Sequence, residues 1–198
     1  AWVDFDNFKD INPVRQANKE FKILFIGSVT DRKKPHLIIE ALNEIKSKDI
    51  QLYIVGPTPN ENYLSQLEAL VQKYDLQDQV TFTGSVNRES VMEHYSETNL
   101  MILPSVSEGL ARVIFESQVT ACPVLVTDAP GMGDIVIDGQ TGYIFESNNL
   151  ESLTNKIQEI KNNYEDAIHV GNNAKDFILS NYSSDNFKFS FKKLFDTV

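Results

Sequence analysis

The feature that most constrains this chain is an alternation of short apolar runs with amphipathic segments, sustained for some 145 residues. Residues 21–29 (Phe-Lys-Ile-Leu-Phe-Ile-Gly-Ser-Val), 50–55, 79–83, 100–103 and 124–127 are near-continuous apolar runs of strand length. That pattern belongs to strands buried on both faces of a parallel sheet. A last short strand is predicted at 143–145, after a turn at Asp138-Gly139. The intervening segments carry apolar residues at helical spacing, such as Leu37, Ile38, Ala41, Leu42 and Ile45 behind Pro35, a residue tolerated in a first helical turn. Further helices are predicted over 63–74, 88–97, 111–121, 150–162, 166–179 and 186–195. With no convincing repeat or linker, residues 1–198 read as one α/β domain. Its core would be a Rossmann-like doubly wound parallel sheet of about six strands, flanked by helices and joined by right-handed crossovers.

In such a sheet, ligands bind in the crevice outside the C-terminal strand ends. Gly27, Gly56 and Gly84 each fall just past a predicted strand end, where glycine lets a backbone or ligand approach closely. A tight turn would explain any one of them; three in the same topological place favour a site. The loop over 27–35 also gathers Arg32, Lys33 and Lys34 in a chain of net charge −10. Backbone N–H groups at a helix start, a lysine point charge and an arginine fork together suit a diphosphate. A solvated basic loop is the plainer alternative. The loop has neither Gly-Lys-Ser/Thr nor Gly-x-Gly-x-x-Gly, which disfavours an ATPase or a nicotinamide dehydrogenase.

A second stretch, Ser105-Val-Ser-Glu-Gly-Leu-Ala-Arg-Val-Ile-Phe-Glu116, leads from a strand through a loop into a helix. Glu108 and Glu116 stand eight residues apart. On one helix they would be separated by about 2.2 turns and roughly 80°; with Glu108 on the preceding loop, both can approach one crevice. Spacing alone favours a surface loop with one solvated and one salt-bridged glutamate.

The remaining composition narrows the partners. An acidic chain with pI ≈ 4.7 is a poor ligand for nucleic acid or an anionic membrane surface. One cysteine, Cys122, rules out an internal disulfide framework; it fits a reducing compartment and a buried small apolar role. No apolar run approaches the ~20 residues of a membrane span, and no signal peptide is expected. The chain opens on Ala1-Trp-Val-Asp without methionine, so a fragment of something longer is expected. His36, His94 and His169 lack metal-ligand spacing, and only His36 lies beside the basic loop, in reach of a phosphate. Phe187, Phe189, Phe191 and Phe195 read as packing of a terminal helix.

Seven blocks, in order, resemble the C-terminal, donor-binding half of a retaining GT-B glycosyltransferase of family four (glycosyltransferase group 1). The Glu-x7-Glu motif corresponds to Glu108-Gly-Leu-Ala-Arg-Val-Ile-Phe-Glu116, preceded by Leu103-Pro-Ser105. The family's Gly-Arg-x5-Lys-Gly loop corresponds to Gly27-Ser28 through Lys33-Lys34, with the usual small residue at Ala41. Val55-Gly56-Pro57, Val80-Thr-Phe-Thr-Gly84, Pro123-Val-Leu-Val126, Asp138-Gly-Gln-Thr-Gly142 and Val3-Asp4 with Phe8 match the other blocks.

The resemblance implies roles for these residues. Lys33 would contact the donor diphosphate beside Gly27, Ser28 and Arg32, and Glu116 would hold the ribose hydroxyls. Glu108, the residue nearest the chemistry, would hold the transferred sugar, aided by backbone N–H groups of Gly109, Leu110 and Ala111. The base would lie beside Ser85 and Val86. The implied partner is a UDP-, GDP- or ADP-linked sugar, with no cofactor and no metal at the chemistry. Residues 1–20 would adjoin an interdomain linker, and 182–198 would form a terminal helix. An N-terminal acceptor domain is expected to be absent, so the fragment alone would transfer little or nothing to its saccharide, lipid or glycoconjugate acceptor. The full-length protein would be cytoplasmic, with any contact to the inner membrane face made by the missing half. Ser28 stands in place of the usual phosphate-binding arginine and Lys34 in place of a glycine; Ala111, Cys122 and Asp134 are further departures. A nucleotide-sugar epimerase domain and a non-catalytic nucleotide-sugar-binding module are the alternatives. With the Lys33 loop across from it, the Ser105–Glu116 stretch changes from a plain surface loop to half of a site.

Overall fold

A computed structural model of the chain describes residues 8, 10, 11, 13, 15, 20–109, 111–132 and 135–182. The apolar runs form β1 (Phe21–Ile26), β2 (Ile50–Val55), β3 (Val80–Gly84), β4 (Leu100–Leu103), β5 (Val124–Thr127) and β6 (Tyr143–Phe145). The helices are α1 (Pro35–Ile45), α2 (Glu61–Lys73), α3 (Arg88–Glu97), α4 (Arg112–Val119), α5 (Leu150–Asn162) and α6 (Tyr164–Tyr182), with a 3-10 turn at Asp31–Lys33 before α1. All six strands are parallel, in the order β3-β2-β1-β4-β5-β6. The order reverses between β1 and β4, and that switch point is where such sheets bind ligands.

The sheet centre is dry. Every residue of β4 and β5 is buried, and Ile23, Leu24 and Phe25 of β1 are fully so. Helices enclose it: α1 packs against α2 and α5, and α4 against α6. Cys122 is fully buried at the turn into β5, as a small apolar residue would be. Among the described residues, no helix is long and apolar enough to cross a membrane.

Element ends depart from the sequence reading where local chemistry sets them. β1 closes at Ile26 rather than Val29, because Val29 leaves the ladder to donate to Pro57 O at 2.8 Å. β3 is shifted by one residue, so Gly84 ends the strand instead of following it. α2 begins before Tyr63 because the Asn60 side chain accepts from the N–H groups of Asn62 and Tyr63. α4 ends at Val119, since Ala121 adopts a left-handed φ of 55° that no helix continues. α6 runs longer than 166–179. The helix expected over 186–195, with its phenylalanines, lies outside the described residues, as do Val3, Asp4, Leu110, Gly133 and Asp134.

Arg15 is one of the side chains that tie the segment before β1 to the helical layer. The Arg15 guanidinium donates to the carbonyls of Tyr95 (2.8 Å), Ala121 (3.0 Å), Thr120 (3.1 Å) and Thr98. These carbonyls lie late in α3 and α4 or just beyond them, where the helix dipoles favour a cation.

Candidate functional site

The crevice at the switch point is built from the loops after β1 and β4. Across β1, β2 and β3 the strand ends are joined by Gly27 N–H to Val55 O and Gly56 N–H to Gly84 O, both 2.9 Å. Gly56 has a φ of 136°, and a Cβ there would lie 2.1 Å from Gly27 O. The two backbones touch at the crevice floor, which only glycine permits.

Over this floor the chain turns through Asp31–Lys33 and enters α1 at Pro35. Lys34, at the junction, has φ 49° and ψ 45°, the left-handed region that favours glycine. Its side chain bonds Asn148, across the domain. The turn aims Lys33 back over Gly27, with Nζ 2.9 Å from where a Gly27 Cβ would stand. Ser28 is half-buried next to it.

The loop after β4 approaches from the other side. Ser105 is fully buried, and its carbonyl accepts from Thr127 Oγ1 at 2.6 Å. Val106 N–H donates to Arg32 O at 3.1 Å, joining the two loops through backbone. Arg32 Nη1 donates to Ser107 O and, at 3.4 Å, to Ser105 Oγ. Glu108 then meets both cations: Oε1 is 3.3 Å from Arg32 Nη1 and 3.6 Å from Lys33 Nζ. The Glu108 and Lys33 side chains are only 9% and 13% exposed, whereas Arg32 is half exposed. The Glu108 backbone is fixed by Gly131, where a Cβ would stand 2.1 Å from Glu108 O.

From here the chain enters α4, whose N-cap residue, Ala111, provides no side-chain bond to the first N–H groups. By contrast α2, α3 and α5 are each capped by an asparagine: Asn60, Asn87 and Asn149. The helix start next to Glu108 thus keeps donors for an anion. Ala111 is buried and Gly109 exposed; Leu110 lies outside the described residues.

Glu116 sits just over one turn into α4 with partners of its own. It is half-buried, and burial raises its pKa above the usual carboxylate range. A bond from the Tyr95 hydroxyl to Oε2 (3.1 Å) and the nearby Arg112 and Arg88 act in the opposite direction. The two glutamates therefore do not share a charge environment: Glu108 faces the β1 loop and Glu116 faces α3. Ser85 is exposed and Val86 half-buried at the edge-strand end that leads into α3. His36 is turned from the crevice toward Tyr63, with Nδ1 2.9 Å from the hydroxyl, and its burial lowers its pKa. Tyr95, Thr127 and Gly131 border the candidate site without having been singled out by sequence pattern. Tyr95 lies within the helix predicted over 88–97 and Thr127 within the strand predicted over 124–127, patterns that mark packing and not a site.

The family model described as glycosyl transferases group 1 matches residues 6–177. The chain belongs to that family. An uncharacterized glycosyltransferase of Methanocaldococcus jannaschii, MJ1178, is 30% identical over 154 residues, 78% of this chain and 42% of its own length. A sucrose-phosphate synthase from Thermosynechococcus elongatus superposes with TM-score 0.86 at 25% identity, over 100% of this chain and 51% of that one. Anabaena HepE, solved with UDP and glucose, gives TM-score 0.84 at 18% identity, over 92% of this chain and 50% of HepE. The chain spans about half the length of the curated relatives it matches. The fold is that of the C-terminal domain of a GT-B glycosyltransferase.

Proposed function

We propose that this domain holds the nucleoside diphosphate sugar of a retaining glycosyl transfer, in the crevice at the β1/β4 switch point. The observation that carries the reading is the convergence there of Lys33, Glu108 and the uncapped start of α4. Lys33, with Arg32, takes the diphosphate over the glycine floor at Gly27, and Ser28 lies alongside. The N–H groups from Gly109 through Ala111 add donors without added charge. Together they stabilise the diphosphate as it leaves, the task an enzyme meets with preorganised donors and cations. The proposal therefore places no metal at the chemistry, and a chelator is expected to leave donor affinity unchanged.

Glu108 accepts from hydroxyls of the transferred sugar, because an ionised carboxylate is an acceptor at both oxygens. Glu116 does the same for the ribose, and Ser85 and Val86 border the base. Retention follows from attack on the face the diphosphate leaves, with the leaving phosphate taking the acceptor's proton. Transfer itself is assigned to a longer chain that adds an acceptor-binding half, in keeping with relatives about twice this length. A neighbour solved with UDP and glucose supports UDP-linked sugars as the first probes.

Calorimetric titration of UDP-, GDP- and ADP-sugars tests the reading directly. One class should bind, and Lys33→Ala and Glu116→Ala should each weaken it by roughly ten- to a hundredfold, the usual effect of losing a charged hydrogen bond. A folded chain that binds none of the three refutes it.

A further inference from the structure

Glu108 meets its cations through an oxygen that forms no hydrogen bond. Oε1 is fully buried and, among the described residues, without a hydrogen-bond partner, yet stands 3.3 Å from Arg32 Nη1 and 3.6 Å from Lys33 Nζ. Charge alone holds it, in a setting where an uncompensated carboxylate would be strongly disfavoured. These are the same cations that the proposed function assigns to the donor diphosphate, so a carboxylate and a diphosphate compete for one pair of positive groups.

We infer that Glu108 is the internal counter-anion of the site, and that this pairing makes the site prefer a sugar-bearing donor over the sugar-free nucleoside diphosphate. The inference rests on the donor-binding reading. When the diphosphate of a donor takes up the charge of Lys33 and Arg32, Glu108 turns from them and the sugar hydroxyls donate to it, replacing what it has lost. When a sugar-free diphosphate does so, Glu108 is left without donors and close to a like charge. The spent nucleotide is therefore the weaker ligand, and the return of Glu108 to its cations favours release. The surroundings suit this exchange. Arg32 keeps Ser105 Oγ and Ser107 O when Glu108 leaves, and Gly131 pins the Glu108 backbone, so side-chain rotation suffices.

Calorimetry with UDP, GDP, ADP and inorganic pyrophosphate, on the wild-type chain, Glu108→Gln, Arg32→Gln and the double variant, tests this. Glutamine keeps the shape and removes the charge; Glu108→Ala serves the same comparison should the glutamine variant not fold. Glu108→Gln is expected to tighten pyrophosphate and the recognised sugar-free nucleotide by about fivefold, and this gain should shrink in the Arg32→Gln background. Equal or weaker binding to the Glu108 variant, or a gain of the same size with and without Arg32, overturns the inference. Pyrophosphate binding without nucleotide binding refutes the donor reading alone, since the pyrophosphate comparison still decides the role of Glu108. Binding of neither refutes both.

Discussion

The Tyr95 hydroxyl shares its one proton between Glu116 Oε2 at 3.1 Å and the Val113 carbonyl at 3.2 Å, bracing the carboxylate of α4 from α3. The tyrosine is fully buried, so its ring fixes the hydroxyl and the hydroxyl fixes one carboxylate oxygen. The other oxygen is the one left for a ligand in the proposed role.

Tyr95→Phe removes this brace and keeps the packing. The lost bond favours the ionised carboxylate, while Arg88 and Arg112 continue to do so, and burial continues to oppose it. The pKa of Glu116 should rise further, and donor affinity at neutral pH should fall about three- to tenfold. Measured between about pH 5 and 8, the loss of affinity on acidification should begin at a higher pH in the variant than in the wild type. Unchanged affinity and an unchanged profile would leave Tyr95 a packing residue only.

Glu116→Gln separates charge from shape. Because burial raises the folded pKa, Glu116 contributes stability that is fully present below its unfolded pKa and lost as pH rises through the folded one. At pH 7 the buried charge is a net cost, which glutamine removes while still accepting from Tyr95. Thermal unfolding should show Glu116→Gln more stable at pH 7 by on the order of 2 °C, with the gap closing toward pH 4.

The crevice floor should tolerate no side chain at Gly56. Gly56→Ala forces a Cβ to within 2.1 Å of Gly27 O, so a loss of about 3 kcal/mol or more is expected, seen as insoluble or unfolded protein. Gly84→Ala is the control: its φ of 66° is also left-handed, but a Cβ there meets nothing within 4 Å. Only about 1 kcal/mol should be lost in denaturant unfolding.

Lys34→Gly should stabilise the domain. The lysine backbone is held at a positive φ of 49°, a cost of about 1 kcal/mol that glycine avoids, and the exposed bond to Asn148 is worth less. A rise in melting temperature of about 2–4 °C is the expected result. A fall would mean that the Asn148 contact outweighs the backbone term.

Strands buried on both faces announce themselves, and Ile50–Val55, Leu100–Leu103, Val124–Thr127 and Tyr143–Phe145 lie where their apolar runs place them. Element ends set by one backbone or side-chain bond are not visible in hydrophobic pattern, as at Asn60 and Ala121. The candidate site was legible as charges and motifs: Lys33, Glu108 and Glu116 stand out in the sequence. Their partners were not. The Arg32–Glu108 and Lys33–Glu108 pairs exist only because β4 lies beside β1, and the Tyr95–Glu116 bond only because α3 lies beside α4. Both facts belong to strand order, which periodicity does not encode.

The grip of Arg15 on four carbonyls also has a mechanical meaning. A pull on the chain at Arg15 would be delivered through its guanidinium to the ends of α3 and α4, besides reaching the sheet through β1. Those two helices carry Tyr95 and Glu116. Arg15 is thus a lever point, through which tension on the leading segment would bear on the helices at the side of the crevice that the proposed function assigns to the nucleotide.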